Sequence, residues 1–271
     1  MKAPVTFGGA GSRVVSARDD PAALRIVGLH KAFGEYTAVR HVDLTVARGS
    51  FYGLVGPNGA GKTTALSMAV GLLRPDEGRS LVFGVDVWAQ PLPARRLLGV
   101  LPDGLALPER LTGRELLTYL GQLHGLGAAI VAARTGELLD VLGLTGDAER
   151  MLVVDYSTGM RKKIGLAIAL LHGPRLLVLD EPFEAVDPVS AATLKRILNR
   201  FVAGGGSVLL SSHVMALVEQ LCDTVAVLAK GAVLAEGPLD VVRGGRSLEE
   251  AFVDLVGVEV GGGEGLSWLA S

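Results

Sequence analysis

Residues 56–63 form a glycine-rich segment between two apolar stretches, and no other feature limits the possible folds as strongly. The segment fits the pattern G-x-x-x-x-G-K-[ST], whose glycines let successive backbone N–H groups turn towards phosphate oxygens. The apolar run Phe51–Val55 predicts a buried strand before it, and residues 63–72 predict a helix whose positive N-terminal end adds to an anion site. The eight residues are Gly56, Pro57, Asn58, Gly59, Ala60, Gly61, Lys62 and Thr63. The pattern therefore predicts a phosphate-binding loop, and an ordinary glycine turn is the alternative.

Composition excludes several classes of protein. The chain of 271 residues has 26 basic and 28 acidic residues, and this net charge of −2 argues against a nucleic-acid backbone as its main partner. Aromatic residues make up 5%, so no stacking platform for single-stranded nucleic acid is indicated. The single cysteine, Cys222, excludes a disulfide framework and a four-cysteine zinc site. It lies in a predicted apolar helix, which indicates a core position, and it favours a reducing compartment.

The mean hydropathy of +0.42 raises the question of a membrane span. A transmembrane helix needs about 20 consecutive apolar residues. The longest apolar runs, residues 127–133 and 164–171, are too short for this. The N-terminus also lacks the basic, apolar and small-residue order of a signal peptide. We therefore expect a soluble chain whose apolar composition points to a hydrophobic partner.

The hydrophobic pattern predicts an α/β sheet with an inserted helical segment. Residues 1–22 are expected to be a disordered extension, and residues 257–271 a flexible tail with a small apolar hook. Strands are predicted at residues 24–27, 42–46, 51–55, 176–179 and 207–210. The last two are continuous apolar runs, which are typical of parallel strands buried on both faces. Helices are predicted through residues 112–171, at 188–202 and at 214–221.

One of these buried strand runs ends in two carboxylates, Asp180 and Glu181. A carboxylate at such a strand end can reach a Mg²⁺ ion held beside the phosphate loop, which assigns Asp180 to the metal together with the hydroxyl of Thr63. Glu181 points elsewhere and can polarise an attacking water as a general base. Lys62 supplies a mobile positive charge to the phosphates. A solvated strand end followed by a turn at Pro182 is the alternative interpretation.

Together with a third segment, these motifs resemble the ATP-binding cassette of ABC transporters over about residues 24–256. The third segment precedes the second strand motif, on the inserted helices, where that family has its signature sequence. Its residues are Ser157, Thr158, Gly159 and Met160. Ser157 can cap the following helix, and Gly159 can leave backbone N–H groups exposed at the positive helix end, which makes an anion site. A plain helix cap is the alternative.

The resemblance implies the fold and the ligands. The expected fold is α/β, with a P-loop NTPase core, an N-terminal antiparallel β layer and an inserted α-helical subdomain at about residues 104–172, within a domain of residues 23–256. The expected ligands are ATP and Mg²⁺, and the expected reaction is ATP hydrolysis. The ATP-binding residues would be Phe33, the eight loop residues and Thr64.

Other residues correspond to family positions one at a time. Phe33 resembles the aromatic residue that stacks on adenine, with Tyr36 as the substitute. His213 resembles the histidine that contacts the γ-phosphate, so a catalytic role is implied. Asp187 resembles the aspartate that communicates between two nucleotide sites, and it is also suited to cap a helix that begins with Pro188.

Several residues depart from the family pattern. Asp103 stands in a loop where the family usually has Gln; its carboxylate could still reach Mg²⁺, or it could be a surface residue. Thr158 and Met160 stand where Gly and Gln are commoner. The Asp103 and Met160 forms resemble the drug and antibiotic exporter branch, whose membrane subunits are separate chains.

The resemblance also implies partners. A second cassette, most simply a second copy of this chain, would sandwich two ATP molecules with the signature residues closing over the partner's nucleotide. A separate transmembrane permease subunit would provide the membrane contact, with residues 103–118 as the candidate contact face, and no nucleic acid is expected. The chain would then be peripheral, at the cytoplasmic face of the cell membrane. The alternatives are a regulatory cassette with little hydrolysis and an importer subunit.

Overall fold

The computed structural model describes residues 22–257. The strands are β1 (Ala22–Phe33), β2 (Tyr36–Ala47), β3 (Phe51–Val55), β4 (Glu77–Val82), β5 (Val85–Asp86), β6 (Leu98–Leu101), β7 (Leu176–Leu179), β8 (Ser207–Ser212), β9 (Thr224–Ala229) and β10 (Ala232–Pro238). The helices are α1 (Lys62–Ala69), α2 (Pro91–Leu97), α3 (Gly113–Leu123), α4 (Ala128–Val141), α5 (Asp147–Arg150), α6 (Thr158–Leu171), α7 (Pro188–Ala203), α8 (Met215–Leu221), α9 (Leu239–Arg243) and α10 (Leu248–Val256). None of the helices within residues 22–257 has the length and apolar character needed to cross a bilayer.

The six-stranded sheet carries the two chemical motifs. Its strand order is β10-β9-β3-β8-β7-β6, and all neighbours are parallel except β10, which pairs antiparallel with β9. Every residue of β3, β7 and β8 is buried, as their continuous apolar runs predict. Because parallel strands end at the same edge of a sheet, the turn after β3 and the two carboxylates after β7 lie at one edge.

A second, four-stranded sheet confirms the predicted N-terminal antiparallel layer. Its order is β2-β1-β4-β5, with antiparallel pairing throughout. In β2, Val42, Leu44 and Val46 are buried, whereas Asp43 and Thr45 between them are exposed. This alternation lets one face of the layer pack on the core while the other meets solvent.

The inserted helical segment runs from α3 to α6. Helix α3 begins with a capping box, in which the Thr112 side chain accepts from the backbone N–H of Glu115 and the Glu115 carboxylate accepts from the backbone N–H of Thr112. Helix α6 packs closely on the end of β6: a Cβ at Gly165 would lie 2.6 Å from Cδ1 of Leu101. The segment is therefore held directly against the main sheet.

The structure differs from the sequence prediction in several elements. Strands β4, β5, β6, β9 and β10 were not predicted. Strands β4 and β10 mix polar and apolar residues, β5 and β6 are short, and β9 is a buried apolar run like β8 that was missed. Helix α1 ends at Ala69, short of residue 72, because Gly71 takes a left-handed conformation with φ +82°. Cys222 is buried, as predicted, but it lies just past the end of α8, and burial raises the pKa of its thiol. The expectations for residues 1–21 and 258–271 lie outside the described residues; Ala22 begins β1, and Gly257 is the C-cap of α10.

Candidate nucleotide-binding site

The glycine-rich segment forms the tight turn from β3 into α1. A Cβ at Gly56 would lie 2.2 Å from the carbonyl oxygen of Leu228, and one at Gly61 would lie 2.4 Å from that of Ala38, so neighbouring backbone leaves room only for glycine. Gly61, the N-cap of α1, has φ +101°, and neither a side-chain cap nor an acidic residue occupies the first turn of the helix. The N-terminal N–H groups of α1 are therefore not capped by any side chain, as a phosphate site requires.

Lys62 is the buried cation of this turn. Its side chain is 6% exposed, and Nζ donates to the carbonyl oxygens of Gly56 at 2.8 Å and Pro57 at 3.3 Å. The same nitrogen lies 3.3 Å from Oε1 of Glu181. Thr63 is exposed next to it. The ammonium group is thus held where the loop meets the carboxylates after β7.

The two carboxylates after β7 have different surroundings. Asp180 is buried, and its Oδ1 accepts a hydrogen bond from the hydroxyl of Ser211 at the end of the adjacent strand β8. The Ser211 oxygen in turn accepts from the backbone N–H of Glu181 at 2.9 Å. The neighbouring strand therefore orients Asp180 through its Oδ1, and Oδ2 takes no part in this hydrogen bond.

The side chain of Glu181 contacts a histidine. Its backbone is left-handed, with φ +46°, which is unusual for a residue other than glycine. Oε2 lies 3.0 Å from Nδ1 of His213, and Oε1 faces Lys62 without accepting a hydrogen bond. Lys162, on α6, donates from Nζ to the Glu181 carbonyl oxygen at 2.8 Å. The predicted catalytic pair, Glu181 and His213, is in direct contact.

A cleft of about 390 Å³ opens above the loop. It is lined by Phe33, Tyr36, Ala38, Pro57, Asn58, Gly59, Ala60, Gly61, Lys62, Thr63, Thr64, Asp103, Glu181 and Glu184. Phe33 and Tyr36 flank the turn between β1 and β2 and are half or more exposed, and the Tyr36 hydroxyl donates to the carbonyl oxygen of Gly59. The cleft therefore has an aromatic rim and a polar floor. Both aromatic side chains are suited to stack on the face of a base. Tyr36, the alternative to Phe33 in the sequence prediction, lines the same cleft as Phe33.

The residues predicted to hold Mg²⁺ offer the ligands that this ion prefers. A carboxylate on Asp180 and a hydroxyl on Thr63 are oxygen ligands, and Mg²⁺ is usually held by one or two carboxylates together with phosphates. Thr63 and Asp103 line the cleft, whereas the buried Asp180 does not and instead lines a small cavity with Leu66 and Pro102. The donor set fits the ion.

Asp103 lies in the loop after β6 and lines two clefts. One is the cleft above the glycine loop; the other lies between this loop and α6. Its Oδ1 accepts from the backbone N–H of Gly104 at 2.9 Å and lies 3.8 Å from Nζ of Lys162. Its side chain is 45% exposed. Asp103 thus stands between the nucleotide cleft and the helix that begins with the signature residues.

The signature residues do not line the nucleotide cleft. Ser157 caps α6 as predicted, since its hydroxyl accepts from the backbone N–H of Met160 at 3.3 Å. A Cβ at Gly159 would lie 3.0 Å from Oδ2 of Asp187. Asp187 caps α7 as predicted, accepting from the N–H groups of Val189 and Ser190. The two caps lie side by side, which places the signature turn and Asp187 on one surface.

The sequence did not predict a role for two residues of this site, Ser211 and Lys162. Ser211 is one residue past the Leu179–Leu210 register pair of β7 and β8, so the strand order would have placed it beside Asp180. Lys162 follows the signature motif, and its contacts with Asp103 and Glu181 join three separate segments of the chain. No local pattern signals such a contact.

A glycine loop between a strand and a helix, with carboxylates after another parallel strand of the same sheet, defines a nucleotide-binding protein of the P-loop class. The profile of a family described as ABC transporter matches residues 39–184. The chain belongs to this family, as one of its ATP-binding cassettes.

Similar proteins include resistance proteins from bacteria. The chain is 41% identical to a daunorubicin resistance ATP-binding protein of Streptomyces coeruleorubidus, with 82% of this chain and 70% of the relative aligned. It is 41% identical to the daunorubicin/doxorubicin resistance ATP-binding protein of Streptomyces peucetius, over 79% of this chain and 65% of the relative. It is 34% identical to the linearmycin resistance ATP-binding protein of Bacillus subtilis, over 79% and 68%. The chain thus spans about two thirds of these relatives' length.

Solved structures share the fold. An ATP-binding subunit of an ABC transporter superposes with a TM-score of 0.78 at 32% identity, covering 86% of this chain and 99% of that one. A dimeric cassette in a post-hydrolysis state, bound to ADP and Pi, superposes with a TM-score of 0.73 at 21% identity, covering 80% and 98%. These likenesses agree with the core, antiparallel layer and helical segment described above.

Proposed function

We propose that this chain binds ATP together with Mg²⁺, hydrolyses it, and thereby drives export through a separate membrane-spanning subunit. The observation that carries the proposal is the position of the Glu181 carboxylate, between Lys62 at 3.3 Å and His213 at 3.0 Å, on the floor of the cleft formed by the glycine loop. A base, a cation and exposed backbone N–H groups at one point are what phosphoryl transfer to water needs.

Each group has a role in this proposal. The loop N–H groups and Lys62 bind the phosphates, and Phe33 or Tyr36 stacks on the adenine. Glu181 orients the attacking water and accepts its proton, while His213 holds the carboxylate and approaches the γ-phosphate. Asp180 and Thr63, with Asp103 beside them, would hold Mg²⁺, which neutralises the charge that develops on the phosphates.

The partner proposal is supported by the position of the signature turn. Ser157, Thr158, Gly159 and Met160 lie outside the nucleotide cleft of their own chain, on a surface shared with Asp187. A second copy, placed head to tail, would bring this helix end to the other chain's ATP. The membrane contact would then be made only through the permease subunit, which places the chain at the cytoplasmic face of the membrane.

Export is favoured over import by the names of the relatives. They are named for resistance to daunorubicin, doxorubicin and linearmycin, and others for Nod factor export. A regulatory cassette with little hydrolysis is less favoured, because both Glu181 and His213 are present and in contact.

The test is a turnover assay on the purified full-length chain. Phosphate release is measured with ATP in the presence of Mg²⁺ and again with EDTA, and size-exclusion chromatography of Glu181→Gln with ATP reports the dimer. We expect release that requires Mg²⁺ and a dimer that requires ATP. ATP binding without phosphate release, with or without the membrane subunit, would instead support a regulatory cassette.

Export is tested by measuring drug accumulation in cells. The chain is co-expressed with a candidate membrane-spanning subunit, and daunorubicin serves as the fluorescent probe. Lower cellular accumulation with the wild type than with Glu181→Gln supports export. Higher accumulation would support an importer.

A further inference from the structure

We infer that Lys162 is a positioning residue for hydrolysis, which holds the backbone of Glu181 in place and is itself anchored by Asp103. This inference rests on the proposed function. Lys162 neither lines the nucleotide cleft nor touches the carboxylate of Glu181, so any effect on the reaction must act through other residues.

The first step of the argument is the backbone of Glu181. A residue with a side chain in the left-handed region is costly unless its surroundings hold it there. The carbonyl oxygen of Glu181 accepts from Nζ of Lys162 at 2.8 Å and from the backbone N–H of Glu184 at 3.2 Å. A hydrogen bond from a charged donor is stronger than one from a backbone amide. Lys162 is therefore the stronger of the two restraints on the turn that aims the Glu181 carboxylate.

The second step is charge. The side chain of Lys162 is 15% exposed, and a largely buried ammonium group needs a counter-charge. Asp103 supplies it, with Oδ1 3.8 Å from Nζ. In return Lys162 offsets the negative charge that Asp103 would otherwise add beside the triphosphate. This pairing gives a physical reason for a carboxylate at position 103, where the family usually has an uncharged amide.

The third step is rigidity. Helix α6, which carries Lys162, packs closely on the end of β6 and the loop after it, because Gly165 lies against Leu101 and Leu105. Lys162 thus joins three parts of the chain, namely the Asp103 loop, the helix that begins with the signature residues, and the turn of Glu181. A movement of α6 or of the Asp103 loop is transmitted to the Glu181 backbone through one side chain.

The experiment measures kcat and KM for ATP at saturating Mg²⁺ in the full-length protein. Lys162→Met removes the charge and keeps the length, and Lys162→Arg keeps the charge. Lys195→Met is the matched control, since Lys195 is a partly buried lysine on α7 that contacts Gln220. We expect Lys162→Met to lower kcat about 10- to 100-fold, because a misplaced base costs rate, with KM, ATP affinity and melting temperature nearly unchanged. Lys162→Arg should recover most of the rate.

Asp103→Asn completes a double-mutant cycle with Lys162→Met. If Asp103 anchors Lys162, its replacement lowers kcat in the wild type but changes it less than about twofold in the Lys162→Met background.

The inference is overturned if Lys162→Met turns over ATP at the wild-type rate. It is also overturned if kcat falls only in parallel with melting temperature and Lys162→Arg does not rescue it, since that pattern indicates a merely structural role. If the wild type itself releases no phosphate, the proposed function fails. The wild-type assay therefore distinguishes failure of the proposed function from failure of the role inferred for Lys162.

Discussion

The Lys62 ammonium group lies 3.3 Å from Oε1 of Glu181, so the cation that would bind phosphate also contacts the candidate base. Oε2 of the same carboxylate lies 3.0 Å from Nδ1 of His213. Because an incoming phosphate carries negative charge, it competes with Glu181 for Lys62. Phosphate binding would therefore weaken the ion pair between Lys62 and the carboxylate of Glu181. The carboxylate would then be free to bind water while it keeps its contact with His213.

The first prediction concerns Glu181→Gln. The amide keeps the size and hydrogen bonding of the side chain but cannot accept the proton of water, so turnover should fall about 10²- to 10⁴-fold. ATP should bind as tightly as before or more tightly, because the competing charge at Lys62 is gone. Phosphate release and a fluorescent-nucleotide titration measure the two effects. An unchanged rate would rule out Glu181 as the base.

The second prediction concerns Lys62→Met. Charge-assisted contacts with phosphate contribute about 1.5–3 kcal/mol, so ATP affinity should fall about 10- to 100-fold. The variant should stay folded, as checked by circular dichroism, because His213 still contacts the carboxylate of Glu181. Lys195→Met is again the control and should bind ATP normally. Equal affinity of Lys62→Met and the wild type would contradict a phosphate-binding loop.

The third prediction concerns Asp103 and Mg²⁺. If its carboxylate is held near the ion, Asp103→Ala should raise the Mg²⁺ concentration needed for half-maximal hydrolysis, and Asp103→Gln should bring that concentration back towards the original value. The maximal rate should stay low in both variants, because neither side chain keeps the charge that anchors Lys162. If the residue instead couples to the membrane subunit, hydrolysis by the isolated chain is normal and only its stimulation by that subunit falls. Mg²⁺ titrations of the three proteins, each with and without the subunit, distinguish these results. Identical curves throughout would leave Asp103 as a surface residue with neither role.

The fourth prediction concerns the close packing of α6 on β6. A Cβ at Gly99 would lie 2.2 Å from the carbonyl oxygen of Ala169, so Gly99→Ala forces backbone apart and should destabilise the protein by about 1–3 kcal/mol. Gly136, inside α4, has no atom near its added Cβ, and Gly136→Ala should stabilise by about 0.5–1 kcal/mol. Urea unfolding of both variants tests the contrast. Similar shifts for the two would show that helix and strand are not in such close contact.

The fifth prediction concerns pH and Asp187. Hydrogen bonds from the Ser190 hydroxyl and then from its backbone N–H lower the pKa of Asp187, with a further contribution from Val189 N–H. A carboxyl group whose pKa is lower in the folded state adds stability above its unfolded pKa, near 4, and loses it as the pH falls through the lowered folded value. The stability difference between the wild type and Asp187→Asn should therefore be present at pH 7 and shrink below about pH 4. Urea midpoints of both proteins from pH 7 to pH 3 measure it, and a constant difference would contradict the prediction.

Local patterns were sufficient where neighbouring residues act together. The glycine loop, the buried strands β3, β7 and β8, and the caps at Ser157 and Asp187 each depend on a few consecutive residues, and the structure has them as predicted. Strands that mix polar and apolar residues, such as β4 and β10, could not be predicted this way. Their conformation depends on pairing with neighbouring strands, because an isolated short strand has too few interactions of its own.

The sequence by itself determined the chemistry that each motif can offer: a turn that binds phosphate, a carboxylate at a strand end and an anion site at a helix start. Only the tertiary structure decided which groups touch, because the contact of Glu181 with Lys62 and His213 depends on the parallel order of β3, β8 and β7. The link from Asp103 through Lys162 to Glu181 likewise depends on how closely α6 packs on the sheet. The glycine turn and the helix caps are set by neighbours in sequence, whereas contacts between side chains follow from the packing of elements that lie far apart in the chain.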